Sequence, residues 1–263
     1  MEWRCTNERK NLNAETIALY SKQLKTPSFN RYEDVIRQLG TQGGYEAFLI
    51  ELLKLENISR MESRQKRRIH MAKFPYVKTF DELDLKRYEH VSEATFHELA
   101  TCDFVDKRQN VVMIGNTGRG KTHCAISLGI KACMQGMNVR FYTAANLSNE
   151  LIEAREYKRL LKFERQLAAV DLLIIDELSY ITFNRHQSEL LFKVIADRAE
   201  KKSVIVSSNL KFSEWTTLFE NATMVAALID RLTFRSHVLN MNGDSFRREH
   251  SEKRTKENAD NEQ

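Results

Sequence analysis

Residues that interrupt regular structure are scarce: two prolines and nine glycines in 263 residues. That scarcity excludes collagen-like and low-complexity classes. Cysteine is scarce too. The four present, Cys5, Cys102, Cys124 and Cys133, form no C-x-x-C pair. This argues against a disulfide framework or zinc knuckle and for a reducing, cytoplasmic setting. No apolar run approaches the roughly 18–20 residues of a membrane helix. The polar opening Met1-Glu2-Trp3-Arg4-Cys5 does not read as a secretory signal. What is present is 42% hydrophobic and 29% charged residues. That is enough to bury the core of one large α/β domain, or of a domain with a smaller companion.

The formal net charge of +5 is unevenly spread: residues 1–80 carry +6 and residues 81–263 carry −1. Much of the excess lies in one cluster, Arg60, Arg64, Lys66, Arg67, Arg68 and Lys73. Arg60, Arg64, Arg67 and Arg68 fall at i, i+4, i+7 and i+8, one face of a helix. Such asymmetry suggests a polyanion partner for the front of the chain; a solvated helix face is the alternative.

Up to about residue 73 the apolar spacing predicts helices, interrupted at Pro27 and at Gly43-Gly44, with a long third run from Tyr45 that ends before Pro75. From Asn110 the pattern changes. Short apolar runs (Val111–Ile114, Val139–Tyr142, Leu172–Ile175, Val204–Val206, Val238–Met241) alternate with helical stretches. Buried strands separated by helices predict an α/β fold whose mostly parallel sheet is covered on both faces. The expected organisation is a basic helical domain over 1–74, a linker over 75–95, a nucleotide-binding domain over 96–248 and a charged flexible tail over 249–263.

Gly115-Asn116-Thr117-Gly118-Arg119-Gly120-Lys121-Thr122 satisfies G-x-x-x-x-G-K-[ST] between a predicted strand and a predicted helix. The glycines let backbone N–H groups turn inward onto phosphate oxygens, and the helix N-terminus adds partial positive charge. Lys121 supplies a charge for the β- and γ-phosphates, and the Thr122 hydroxyl is a Mg²⁺ ligand. Leu172-Leu173-Ile174-Ile175 ends in Asp176-Glu177. Asp176, at the carboxyl edge of the sheet, is placed to hold Mg²⁺, and Glu177 to polarise an attacking water as general base. Asn209, after Val204-Ile205-Val206-Ser207-Ser208, is placed to reach the γ-phosphate or that water; a helix cap is the alternative. Phe104 and the residues before the first strand are candidate walls for the base. Composition alone gives Arg231 and Arg247 no catalytic role.

The string LLIIDELSY (172–180), the segment SSNLKFSEW (207–215), and the endings Asp230-Arg231-Leu232 and Gly243-Asp244-Ser245-Phe246-Arg247 resemble the IstB-like ATP-binding proteins of bacterial insertion sequences. The resemblance runs from about residue 45 to 248. It implies an AAA+ ATPase, a P-loop sheet preceded by a small helical domain and without a separate C-terminal lid, that uses ATP and Mg²⁺. It further implies DNA binding, assembly as a homo-oligomer on duplex DNA, and stimulation of a cognate transposase in transposition, a DNA recombination reaction. Related helicase loaders of the DnaC and DnaI type supply the alternative reading, a replicative helicase loader; a slow nucleotide-dependent scaffold is a third. The resemblance makes Arg231 a finger that reaches a neighbouring subunit's γ-phosphate, and Arg247 a second sensor on the subunit's own nucleotide. It makes Arg60, Arg64, Lys66, Arg67, Arg68 and Lys73 contacts to the DNA backbone. The chain departs from the usual loop pattern at Asn116 and Arg119, where small residues or proline are more familiar.

Overall fold

The computed structural model describes residues 2–40, 44–85, 88–179, 182–219 and 221–242, with side chains from residue 13 onward. The chain forms two compact units, Met1–Lys66 and Arg67–Gln263.

In the first unit, α1 (Glu2–Leu24) stops where the Thr26 N–H bonds back to the Ser21 carbonyl at 2.8 Å. Pro27, unable to donate, opens a 3-10 turn (Pro27–Arg31). The next helix, α2 (Tyr32–Leu39), ends at Gly40, whose φ of 58° suits glycine. Among the described residues, Val35 and Leu52 are this unit's buried apolar side chains. The unit also buries a carboxylate, Glu56, which accepts from the Ser28 N–H (3.2 Å) and from Arg60 Nε (2.7 Å). Burial pushes the Glu56 carboxyl up, and these donors outweigh it and hold it below its ordinary value. Helix α3 (Tyr45–Ala72) begins in this unit and ends in the second. It stops at Lys73, left-handed at φ 59°, just before Phe74-Pro75.

The second unit is built on five parallel strands: β1 (Asn110–Ile114), β2 (Val139–Thr143), β3 (Leu172–Asp176), β4 (Ser203–Ser208) and β5 (Ser236–Asn240). Their order across the sheet is β2-β3-β4-β1-β5. The crossovers carry α6 (Lys121–Met134), α7 (Ala144–Glu156) with α8 (Leu160–Ala168), α9 (Arg185–Arg198) and α10 (Ala222–Thr233). Side chains alternate strictly. Val111, Met113, Leu172, Ile174 and Ile205 enter a core with α6; Val112, Leu173, Ile175, Val204 and Val206 enter a core with α7, α9 and α10. With both faces covered, β1, β3 and β4 carry continuous apolar runs, as expected for a parallel sheet, while edge strand β5 leaves Val238 and Asn240 exposed.

Within 75–95, expected as a linker, four described side chains instead enter the core with α6. Phe80, Leu83, Tyr88 and Val91 are buried with α4 (Glu93–Ala100), α5 (Asp103–Asp106) and α6. Ser127 Oγ donates to the Lys78 carbonyl (3.2 Å), and His123 Nε2 meets the Thr79 carbonyl (2.9 Å). A Cβ at Gly129 would stand 2.8 Å from the Phe74 ring, so glycine lets the segment lie flat on α6. Phe104 is buried in this core and does not face the nucleotide loop's cavity. Three cysteines also pack here, and burial pushes the thiols of Cys102 to about 11 and of Cys124 and Cys133 to about 12. Among the described residues no helix is long and apolar enough to cross a membrane.

The edge opposite the strands' carboxyl ends is fastened by buried Arg198. Its Nη1 donates to the Leu167 carbonyl (2.7 Å), and its Nη2 to those of Val170 (3.0 Å), Asp171 (3.3 Å) and Ser203 (3.0 Å). Burial lowers its pKa to about 10, so it stays charged at neutral pH. One side chain thus joins the end of α8 to the starts of β3 and β4. Replacing it strands buried carbonyls, and charge-assisted bonds contribute more than neutral ones. Arg198→Leu is expected to lower unfolding stability by about 3 kcal/mol or more, read by urea denaturation.

Nearby, burial raises the Asp171 carboxyl, but Lys202 Nζ (2.5 Å) and the Asn138 N–H (2.9 Å) outweigh it and hold it below its ordinary 3.8. A carboxyl lowered on folding contributes stability above its unfolded pKa, and loses it as pH falls through the folded value. Unfolding free energy is therefore expected to drop as pH is lowered from about 5 toward 3. Asp171→Asn should flatten that drop in denaturant melts taken across the range.

Candidate nucleotide site

The site forms at the carboxyl edge because β4 lies between β1 and β3. The loop from Gly115 to Gly120 leaves β1 and enters α6. Gly115 N–H donates to the Ser208 carbonyl of β4 (3.2 Å). A Cβ on Gly115 would sit 2.5 Å from the Met241 carbonyl oxygen, so only glycine fits between the loop and the exit of β5. Gly120 has φ 78°, and a Cβ there would sit 2.6 Å from Tyr88 Oη. Lys121 is buried, and its Nζ donates to the carbonyls of Gly115 (2.6 Å) and Asn116 (2.9 Å). The ammonium is thereby held inside the curl of the loop.

Arg119, the unusual loop residue, is buried and braces the loop from outside. Its Nε donates to the Met241 carbonyl (3.4 Å) and its Nη2 to that of Asn242 (3.2 Å), while the Asn116 N–H donates to Asn242 Oδ1 (3.2 Å). Tyr88 Oη donates to the Arg119 carbonyl at 2.9 Å, and the guanidinium lies 5.8 Å from the Tyr88 ring centroid. Both ends of the loop are thus fastened to the residues that follow β5.

On β3 the Asp176 carboxylate is buried between two hydroxyls. Thr122 Oγ1 donates to Oδ2 (2.8 Å), and Ser207 Oγ donates to Oδ1. Glu177 then turns left-handed at φ 59°, a conformation that costs a non-glycine residue about 1–2 kcal/mol. Its N–H donates to Ser207 Oγ (3.0 Å), and the Leu178 N–H to the Ser207 carbonyl (3.0 Å). The Asn209 N–H donates to Ser179 Oγ (2.9 Å). Thr122 and Asp176 offer two adjacent hard oxygens, a donor set that suits Mg²⁺ completed by water and phosphate oxygens. Among the described residues no cluster of three or more His, Cys, Asp or Glu side chains could hold a metal.

Thr117 through Thr122, Glu177 and Asn209 line one cavity of about 340 Å³. Thr122, Asp176 and Glu177 also line a neighbouring one of about 370 Å³. The structure does not bring Arg231 to either cavity. It lies on α10 with Nη1 on the Ala227 carbonyl (3.0 Å) and its guanidinium 5.2 Å from the Phe192 ring centroid. Arg247 lies outside the described residues. The basic cluster is divided by the unit boundary: Arg60, Arg64 and Lys66 belong to the first unit, and Arg67, Arg68 and Lys73 to the second. Arg64, Lys66, Arg67 and Lys73 are exposed. Arg60 Nη2 bonds the Lys25 carbonyl (3.0 Å), and the Arg68 guanidinium lies against Gly136 after α6.

Sequence reasoning missed Ser207, Tyr88, and the cavity wall formed by Tyr76, Lys78, Glu82, Leu83 and Asp84. Tyr88 lies 31 residues from its partner Arg119. The only local signal was the apolar spacing of Phe80, Leu83, Tyr88 and Val91 within a stretch read as linker.

The brace at Arg119 is testable. Arg119→Val removes the guanidinium bonds to the Met241 and Asn242 carbonyls and keeps every backbone N–H of the loop. Nucleotide affinity is expected to weaken by about tenfold, or about 1.4 kcal/mol, with far-ultraviolet circular dichroism unchanged. Titration with a fluorescent nucleotide reads it.

Similarity to known proteins agrees with this geometry. The chain is 35% identical over 235 residues to a protein of insertion sequence IS5376 from Geobacillus stearothermophilus that is named for ATP binding; the match covers 89% of this chain and 94% of the relative. It is also 35% identical over 203 residues to the corresponding protein of insertion sequence IS21 from Pseudomonas aeruginosa, covering 77% of each. Among solved structures the fold is similar to AMPPCP-bound DnaA from Aquifex aeolicus (TM-score 0.54, 15% identity, 64% of this chain and 51% of that one). It is similar also to DnaI (TM-score 0.52, 14% identity, 62% of this chain and 90% of that one). Residues 21–254 match the family described as IstB-like ATP binding protein. With the phosphate loop, Glu177 and the polar β4 exit on one cavity and the family match running over residues 21–254, the chain belongs to the IstB-like ATP-binding protein family.

Proposed function

We propose that this protein is an AAA+ ATPase that binds duplex DNA, assembles on it with ATP, and stimulates a partner transposase in insertion-sequence transposition. The observation that carries the ATPase reading is the convergence of Lys121, Thr122, Glu177 and Asn209 on one cavity, with Asp176 bonded to Thr122. The insertion-sequence reading rests on family membership and on the relatives' names.

In this reading Lys121 exchanges its two carbonyl partners for the β- and γ-phosphate oxygens. Thr122 and Asp176 would hold Mg²⁺, which neutralises charge on the phosphates when bound. Glu177 takes the proton from a water whose oxygen bonds the γ-phosphorus as the bond to the leaving ADP oxygen breaks. Asn209 orients the γ-phosphate or that water. Leu83 and the Tyr88 ring give the cavity an apolar wall suited to a base. Arg231, which lines neither cavity of its own subunit, serves a neighbouring copy, so hydrolysis depends on assembly. Arg247 completes the nucleotide contacts from the segment after β5. Exposed Arg64, Lys66, Arg67 and Lys73, with Arg60 and Arg68, contact DNA phosphates with little base preference.

Hydrolysis measured with and without duplex DNA, with assembly followed by light scattering, tests the reading. DNA should stimulate turnover. Glu177→Gln should assemble with ATP but hydrolyse it at least about 100-fold more slowly, and Arg231→Ala should lose the DNA-stimulated rate. Full activity as a monomer without any DNA effect would remove the assembly mechanism. Arg64→Glu combined with Arg67→Glu should weaken DNA binding and flatten its dependence on salt, by roughly one unit of slope for each phosphate no longer neutralised. A fluorescence-anisotropy titration across salt concentrations reads this, and an unchanged slope would remove these residues from the DNA surface.

A further inference from the structure

We infer that Ser207 is a positioning residue for hydrolysis: its hydroxyl sets the turn that aims Glu177 and fixes the Asp176 carboxylate. The inference rests on the reading of Glu177 as the base and deepens it.

The geometry singles out this hydroxyl. Ser207 lies on β4 opposite Met113 of β1, and one step beyond the last registered pair of β3 and β4, Ile175 with Val206. It therefore stands between the strand that launches the phosphate loop and the strand that carries the acids. It is buried, and its Oγ uses both capacities of a hydroxyl, donating to Asp176 Oδ1 and accepting the Glu177 N–H at 3.0 Å. Its carbonyl takes the next N–H, that of Leu178 (3.0 Å). Two successive amides of the turn are thus bound to one residue of the adjacent strand.

That pairing explains a backbone conformation that nothing local favours. Glu177 is neither glycine nor asparagine, yet its φ is 59°. A β3 that simply continued would send residue 177 along the strand, its side chain alternating toward one covered face. The left-handed turn instead breaks the alternation and puts Glu177 on the cavity wall. Sparsely populated backbone conformations persist where the surroundings over-determine them, and they cluster at reactive sites. Here the over-determining contacts are the two bonds from Ser207 and the bond between the Asn209 N–H and Ser179 Oγ. Alanine at 207 would leave the Glu177 N–H without this acceptor and Asp176 without one donor, with almost no change in volume.

The test compares Ser207→Ala, Ser207→Thr, Glu177→Gln and the Ser207→Ala/Glu177→Gln double variant. Turnover of ATP is measured with duplex DNA, affinity by fluorescent-nucleotide titration, and hydrogen exchange of the Glu177 amide without nucleotide and in EDTA. Ser207→Ala is expected to lower kcat by about 10- to 100-fold, with nucleotide Kd changed less than about threefold and faster exchange at Glu177. Ser207→Thr, which keeps the hydroxyl, should restore both the rate and the slow exchange. In the Glu177→Gln background the alanine should cause a much smaller loss than it does alone, because the part of its effect that runs through Glu177 has gone and only the part through Asp176 remains. Three outcomes would overturn the inference: wild-type kcat in Ser207→Ala while Glu177→Gln is inactive, an additive loss in the double variant, or Ser207→Thr restoring slow exchange but not turnover. If Glu177→Gln itself turned over normally, the reading of Glu177 as base would fall first.

Discussion

The position of β4 between β1 and β3 is the constraint on which the rest of the site depends. All strands are parallel, so every carboxyl end reaches the same edge. The strand between the phosphate loop and the acidic turn must satisfy both neighbours. It does so with consecutive residues. The Ser208 carbonyl accepts from Gly115 at the start of the loop, and the Ser207 hydroxyl and carbonyl hold the turn at Glu177 and Leu178. The β4 exit thus acts as a spacer whose width is set by backbone hydrogen bonding. A shift of one residue would direct the hydroxyl to the opposite face of the sheet.

Neutral groups accept or donate in the described bonds of three of the site's charges. Lys121 and Arg119 donate to main-chain carbonyls, and Asp176 accepts from the hydroxyls of Thr122 and Ser207. Such partners satisfy a buried charge and can be exchanged for stronger ones. An ammonium resting on two carbonyls gains when anionic phosphate oxygens replace them, because charge-assisted bonds are roughly twice as strong as neutral ones. The same device is used permanently at the opposite edge, where Arg198 on four carbonyls joins α8, β3 and β4. One edge is locked by buried Arg198, and at the other the proposed nucleotide would offer Lys121 a stronger partner.

Much of the fold was legible in local pattern. The five apolar runs fall within or overlap the five strands, and for β1, β3 and β4 the reason is that a strand covered on both faces needs an apolar residue at nearly every position. The phosphate loop, Asp176, Glu177 and Asn209 were legible for a related reason: each is fixed by what precedes it along the chain, an apolar strand that ends in polar residues. The linker reading of 75–95 fails because the surface that buries its few apolar residues is supplied by a distant part of the chain. Phe80, Leu83, Tyr88 and Val91 are buried through packing on α6, which begins some thirty residues later.

The sequence by itself determined most element types, the loop motif and the strand-end position of Asp176 and Glu177, since these follow from periodicities and motifs contained within a few consecutive residues. Only the tertiary structure decided which side chains meet. Ser207 faces Asp176, Arg119 reaches Met241 and Asn242, and Tyr88 closes on the loop across separations of 31, 122 or 123, and 31 residues respectively. Strand order and register set those meetings. Both are settled by burying the central strands between two helical layers, which no short stretch of chain can specify alone.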